Sequence, residues 1–331
     1  MKPKLGRSVR KIRTVRELSD LLRIVPKSKP ISIEILRQEL VKARLHEVAT
    51  YLGLLRRRRR SYPTFEDESS LLELAKDRIA FANTVGIWQA RGGRISLTPK
   101  GQLLKRELDS GDSPVDVKLL QMVIESPYQS YQGFLENMAR HGGLVRVAGK
   151  NLNRRKGARN LVHSSGFAMD VASFHTIKDL YYDFGFLNWR IFGRKETLYI
   201  TRDLHKFTRI PFVKEIVQDL GDRLPEGEVS LSDFAKSIEH AFNALGLEKD
   251  VYQELLVVRD EVCQELRMSD QRFAKMVMEL YGRATEESRI VLGVGALVEK
   301  PPIGYSKKLS SLPEIQGEEQ LTKIMVRSFG V

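Results

Sequence analysis

Few residues in this chain stand at spacings that could do covalent chemistry. Asp116-Val117-Lys118 could be the tail of a restriction-type nuclease site, but the periodicity puts it in a helix, with no apolar strand to carry it. Gly293-Val294-Gly295 follows an apolar run, yet Val298 stands where a dinucleotide fold needs its third glycine, and Pro301-Pro302 blocks the helix that must follow. Gly143 to Lys150 has one residue too many for a P-loop and places Asn151 where a Ser or Thr would hold magnesium. The six histidines (His46, His141, His163, His175, His205 and His240) never fall three or four apart. The only cysteine is Cys263, so no zinc-ligand spacing and no internal disulfide is expected. The expectation is a non-enzyme without metal or cofactor.

What remains is cationic. The formal charge is +13, and residues 1–60 hold 18 Lys/Arg against 5 Asp/Glu, so 18 − 5 accounts for all of it. A basic end on a balanced body suits phosphate neutralisation, because each contacted phosphate releases counterions. Arg56, Arg57, Arg58, Arg59 and Arg60 form an unbroken run, too repulsive for a buried strand and read as a positive ribbon strand against phosphates, with a basic loop as the alternative. Arg91 and Arg94 flank a Gly-Gly pair, and Arg154, Arg155, Lys156 and Arg159 crowd Gly149–Asn160, read as an exposed loop. Residues 213–290 reverse the sign, with 17 acidic and 10 basic residues, which suits a protein partner.

The elements that must position these cations repeat. Val85-Gly86-Ile87 ends a helical segment, Trp88 opens a short apolar run, Gly92-Gly93 supplies the positive φ of a tight hairpin, and Thr98-Pro99 starts the next helix. Phe184-Gly185-Phe186, Trp189, Gly193-Arg194-Lys195 and Thr201 follow the same order. Helices are expected from Thr14 and from Ser32, and a third through Leu45, Val48 and Leu52 offers Lys42, Arg44, His46 and Thr50 to a groove. Segment 61–84 reads either as an insertion or as the body of a second unit. Further on, Val257–Leu266, a turn at Arg267-Met268-Ser269 and Asp270–Tyr281 form a helix-turn-helix with Gln271, Arg272 and Lys275 on its second helix. Arg289–Leu292 and Thr322–Phe329 would be its ribbon strands.

Helix, basic-tipped ribbon and a Leu97-Thr98-Pro99-Lys100-Gly101 exit together resemble the winged helix-turn-helix superfamily. The resemblance implies groove contact by the helix before the ribbon and phosphate contact by the ribbon tip. By position it assigns Arg44, Thr50, Arg272 and Lys275 to helices, and Arg91, Arg94, Arg194 and Lys195 to tips. The expected fold class is mainly α with small β-hairpins (α+β), as two or three winged helix-turn-helix units joined by helical segments. The expected domains are a basic arm at 1–13, then 14–110, 111–210 and 211–331. The expected partner is double-stranded DNA, bound in a cytoplasmic, nucleoid-associated setting. No membrane span or secretory signal is expected, a homo-oligomer stays open, and an interaction scaffold in a DNA-processing complex is the alternative.

Overall fold

A computed structural model describes residues 15–27, 29–40, 68–110, 115–146, 155–191, 196–284, 288–294, 312–315 and 319–328. The protein is mainly helical, with small antiparallel sheets. It divides into two compact units, one ending at Tyr131 and the other beginning at Gln132. The segments 111–210 and 211–331, expected as separate domains, therefore share most of their length within one unit.

The first unit contains α1 (Val15–Ile24), β1 (Ile31–Ser32), α2 (33–40), α3 (Glu68–Thr84), β2 (Trp88–Arg91), β3 (Arg94–Leu97), α4 (Pro99–Ser110) and α5 (Val115–Ile124). Its sheet runs β1-β3-β2. Ser32 starts α2 as expected, its hydroxyl accepting from the Ile35 N–H at 3.2 Å. Because β1 completes the sheet and α3 runs directly into β2, residues 68–84 belong to this unit, while 61–67, the rest of the segment read as an insertion or a second unit, lie outside the described residues. Leu18, Leu21, Leu22, Phe81, Trp88 and Ile95 lie in its core. Phe81 stacks on Tyr128 at 6.0 Å inside this unit, and the division falls after Tyr131, within the first turn of the next helix.

The second unit repeats that order twice. Its first repeat is α6 (Ser130–Arg140), β4 (Leu144–Arg146), α7 (Arg155–Ser164), α8 (Val171–Asp183), β5 (Leu187–Arg190) and β6 (Thr197–Ile200), with sheet order β4-β6-β5. After η1 (Arg202–Phe207) and α9 (Pro211–Leu220) comes the other repeat. It consists of α10 (Leu231–Leu245), β7 (Gln253–Glu254), α11 (Leu255–Glu265), α12 (Asp270–Gly282), β8 (Ile290–Val294) and β10 (Glu319–Val326), with short β9 (Glu314–Ile315) also on β10, and its sheet order is β7-β10-β8. Among the described residues, helix, strand, helix, helix, strand, strand, with the last strand in the middle of the sheet, thus recurs in all three.

The first two repeats also share a backbone clasp. Gly86 and Gly185 end α3 and α8 at φ 78° and 85°, a left-handed conformation that glycine adopts without a Cβ penalty. The Thr98 hydroxyl donates to the Gly86 carbonyl at 2.6 Å, and the Thr201 hydroxyl to that of Gly185 at 2.7 Å. The Thr98 N–H reaches Ile87 O at 3.1 Å and the Thr201 N–H reaches Phe186 O at 2.9 Å. The two tryptophans are less alike. Trp88 pairs with Leu97, one residue before Thr98, while Trp189 pairs with Leu198, three residues before Thr201. Since Thr201 is fully buried, Thr201→Val should leave the Gly185 carbonyl unsatisfied and cost about 1–3 kcal/mol in urea denaturation of the full chain.

Candidate nucleic-acid interface

The β2–β3 ribbon is built to keep its base fixed and its tip in water. Ile95 and Leu97 face the core, as does Trp88, whose indole N–H donates to Ile79 O at 3.1 Å. Gln89, Ala90, Arg91, Gly92, Gly93 and Arg94 are exposed. Gly92 and Gly93 both take positive φ, 54° and 72°, so the two-residue loop twists with its strands as expected. Arg91 pairs across the turn with Arg94, and neither makes an ion pair among the described residues. Two like charges opposite each other repel, so an anion bridging the tip would relieve the repulsion.

The junction behind the ribbon explains the Leu-Thr-Pro-Lys-Gly exit. Thr98 caps α4 by accepting from the Gly101 N–H at 3.0 Å, and Pro99 opens the helix where no backbone donor is needed. Gly101 is buried against the ribbon: a Cβ there would lie 2.0 Å from the Ile87 carbonyl oxygen. Further along α4, buried Lys105 donates to the Arg23 and Val25 carbonyls at 2.8 and 2.7 Å, closing the end of α1. Burial lowers the Lys105 pKa, with nearby Asp109 acting in the opposite direction.

The other groove-reading candidates fare differently. Lys42, Arg44 and Thr50 lie outside the described residues, and the helix in position before the ribbon is α3. The whole arginine run, Arg56, Arg57, Arg58, Arg59 and Arg60, also lies outside them, and the strands that make up the first sheet are β1, β2 and β3. Arg154, Arg194 and Lys195 are outside the described residues too. Gly149–Asn160 is not one loop, because α7 begins at Arg155 and carries Lys156 and an exposed Arg159. The arginines there fall in a segment whose Ala158, Leu161 and Val162 bury one helical face, and that periodicity decides for helix.

The described strands of the β5–β6 ribbon are packed inward, while its tip, where Arg194 and Lys195 are expected at phosphates, lies outside the described residues. Every residue of β6 is buried, and in β5 only Arg190 is partly exposed. Arg190 makes a two-point ion pair with Glu261 of α11, its two nitrogens at 3.1 and 2.8 Å from the carboxylate oxygens. The Ile191 N–H donates to Asp260 at 2.8 Å, and Tyr199 sits in the apolar core of the following repeat. The ribbon is thus an internal joint between the two repeats of this unit, at least along its described strands.

The start of α12, expected to read base edges, is the other half of that joint. Asp270 is fully buried and accepts from the Tyr182 hydroxyl and the Asn188 amide, both at 2.8 Å. Arg259 lies between Asp270 and Asp260, its nitrogen 3.5 and 3.7 Å from their carboxylates, and all three are fully buried. Burial works against the guanidinium charge, but Asp270 and Asp260 outweigh it, so its pKa lies above the ordinary arginine value. Next to this cluster, the ammonium of buried Lys178 sits 3.6 Å above the Trp189 ring. Gln271 donates to Tyr182 O at 3.4 Å, while Arg272 reaches buried Asp203 at 3.4 Å, a carboxylate that also takes Ser269 Oγ at 2.6 Å and Lys206 at 2.7 Å. Arg272 is therefore committed within the protein. Lys275 is exposed and lines an open cleft of about 430 Å³ beside Glu228 and Glu279, whose carboxylates offset its charge.

Sequence reasoning missed Asp203, Arg259, Asp260 and Asp270. A signal existed, since Arg259-Asp260 interrupts the apolar run of α11 between Val258 and Val262, and charge inside an apolar run needs buried partners. Asp116 and Lys118 lie on α5, about 200° apart around the helix, and Lys118 pairs with Glu107, so they share no site. No group of three or more metal-ligating side chains occurs among the described residues. No described helix is long and apolar enough to cross a membrane. Comparison with protein families, with curated proteins and with solved structures finds no match for this chain.

Proposed function

We propose that the three repeats are winged helix-turn-helix units and that the protein binds double-stranded DNA through the first of them, without catalysing a reaction. The carrying observation is the contrast between ribbons: the β2–β3 tip offers two exposed arginines with no ion pair among the described residues, on a glycine turn, while the described strands of β5–β6 are consumed by an internal joint. The repeated helix, strand, helix, helix, strand, strand order supports the unit assignment, being the connectivity of that superfamily. The charge concentrated in residues 1–60 supports the partner, because it adds a sequence-independent phosphate attraction to whatever the tip contacts. The unit beginning at Gln132 then acts as a body that positions or couples the binding unit.

The test is anisotropy of a labelled duplex against salt. For full-length protein, log K should fall linearly with log salt at about 0.9 per phosphate contacted, and Arg91→Gln with Arg94→Gln should make the slope shallower by about 1.8. A slope and affinity unmoved by the double variant, with the fold intact by circular dichroism, would remove the ribbon from the interface. Failure of the wild-type chain to bind any duplex would remove the function.

A further inference from the structure

A second cationic surface lies on the unit beginning at Gln132, made of residues other than those of its internal joint. Between Asn137 and Met169 the sequence holds seven Lys/Arg and no Asp or Glu, the longest stretch of such imbalance outside the N-terminal end. The fold gathers part of it. Helix α6 ends on Arg140, and the chain leaves it through Gly142 and Gly143 at φ 66° and 72°. The His141 ring nitrogen then lies 3.1 Å from the Ser165 carbonyl just past the end of α7, which sets the end of α6 beside the last turn of α7. His163 stands on that last turn and Arg159 one turn earlier, about 6 Å along the axis. Arg140, His141, Arg159 and His163 are all exposed, and Arg140 and Arg159 make no ion pair among the described residues. The buried side of α7 is apolar, through Ala158, Leu161 and Val162, so the helix is held by packing and its charges are not needed to hold it.

We propose that this α6–α7 face is a second, sequence-independent contact for the phosphate backbone of duplex DNA. It rests on the DNA-binding reading above and adds to it a separate surface on a separate unit. A face used for solubility alone would mix both signs of charge; exposed Glu136 stands one turn before Arg140, but the run from Arg140 through His163 holds no acid, and its exposed guanidiniums match a polyanion. Guanidinium groups also offer paired donors to phosphate oxygens. Contacts of this kind go to the phosphate backbone, so the surface contributes affinity and salt dependence without base discrimination.

The experiment compares full-length Arg140→Gln/Arg159→Gln with Arg91→Gln/Arg94→Gln and wild type, using anisotropy of a labelled duplex over a salt series. Each double variant is expected to make the log K against log salt slope shallower by about 1.8, and the combined variant by about 3.6. An unchanged slope for Arg140→Gln/Arg159→Gln, alongside a shallower one for the ribbon variant, overturns this inference and leaves the ribbon reading standing. The reverse pattern upholds the α6–α7 face and overturns the ribbon. An α6–α7-dependent slope seen only with an RNA duplex of the same length overturns the DNA assignment of this face. Unchanged circular dichroism of each variant ensures that a changed slope reports contact.

Discussion

Arg259→Met is expected to destabilise the unit beginning at Gln132 by about 3–5 kcal/mol, because it removes one partner from a fully desolvated ionic cluster. Asp270 keeps its bonds from Tyr182 and Asn188 after the change but loses the guanidinium placed against it, and Asp260, which keeps the Ile191 N–H, loses the same charge. Two buried carboxylates close to one another then either share the penalty of their charge or take up a proton, and both routes lower stability at neutral pH. The effect should be specific to one unit, and the chain offers a direct way to see this. It has two tryptophans, Trp88 in the first unit and Trp189 beside the cluster, so Trp88→Phe and Trp189→Phe backgrounds give fluorescence reporters for each. In urea, Arg259→Met should shift the Trp189 midpoint and leave the Trp88 midpoint in place. Adding Asp270→Asn should return part of the loss, since the amide oxygen still accepts from Asn188 and the amide NH2 donates to a turned Tyr182 hydroxyl, without a charge. A Trp189 midpoint that does not move, or a second substitution that merely adds to the first, would mean that the cluster does not hold the joint.

Gly101→Ala should cost about 3 kcal/mol or more in the first unit, at the upper end of what one added methyl does in a packed interior. The atom it meets is the Ile87 carbonyl oxygen at 2.0 Å, and this oxygen cannot retreat freely because it accepts from the Thr98 N–H. The same threonine holds Gly86 O and caps α4, so moving the helix away releases the ribbon from the helix that precedes it. The Trp88 midpoint should fall and the Trp189 midpoint should stay. On the proposed DNA-binding function, duplex affinity should fall with it, because the Arg91 and Arg94 tip is aimed by that clasp. Retention of the wild-type Trp88 midpoint would show that α4 and the ribbon can part without loss. Serine at 101 should be no better than alanine, since it carries the same Cβ.

Much of the local structure was legible because it depends on neighbours in sequence. The Gly92-Gly93 turn needs two positive φ values, Ser269 and Thr98 each cap the helix they precede, and Gly86 and Gly185 end their helices in a left-handed conformation. The helix-turn-helix of α11 and α12 and the antiparallel pairing of β8 with β10 also follow the apolar periodicity. The strand β1 was not legible. Two residues, Ile31 and Ser32, carry no period, and their pairing with β3 spans more than sixty positions. Without it, the 68–84 helix could not be assigned to the first unit. The 149–160 segment failed for a different reason: its charges drew the reading away from the apolar residues at helical spacing that make α7 a helix.

What the sequence alone determined is the set of parts: helix–ribbon repeats, their caps and turns, and the location of net charge, all of which follow from backbone preference and composition. What only the tertiary structure decided is which ribbon faces water. In β2–β3 the polar Gln89 and Ser96 alternate with buried Trp88 and Ile95, giving one wet face. In β6, Leu198-Tyr199-Ile200 is apolar on both faces, and whether such a strand has a second partner depends on a surface more than fifty residues away, on α11 and α12. Burial of Asp270 and Arg259 has the same origin, since a charge becomes interior only when another repeat closes over it.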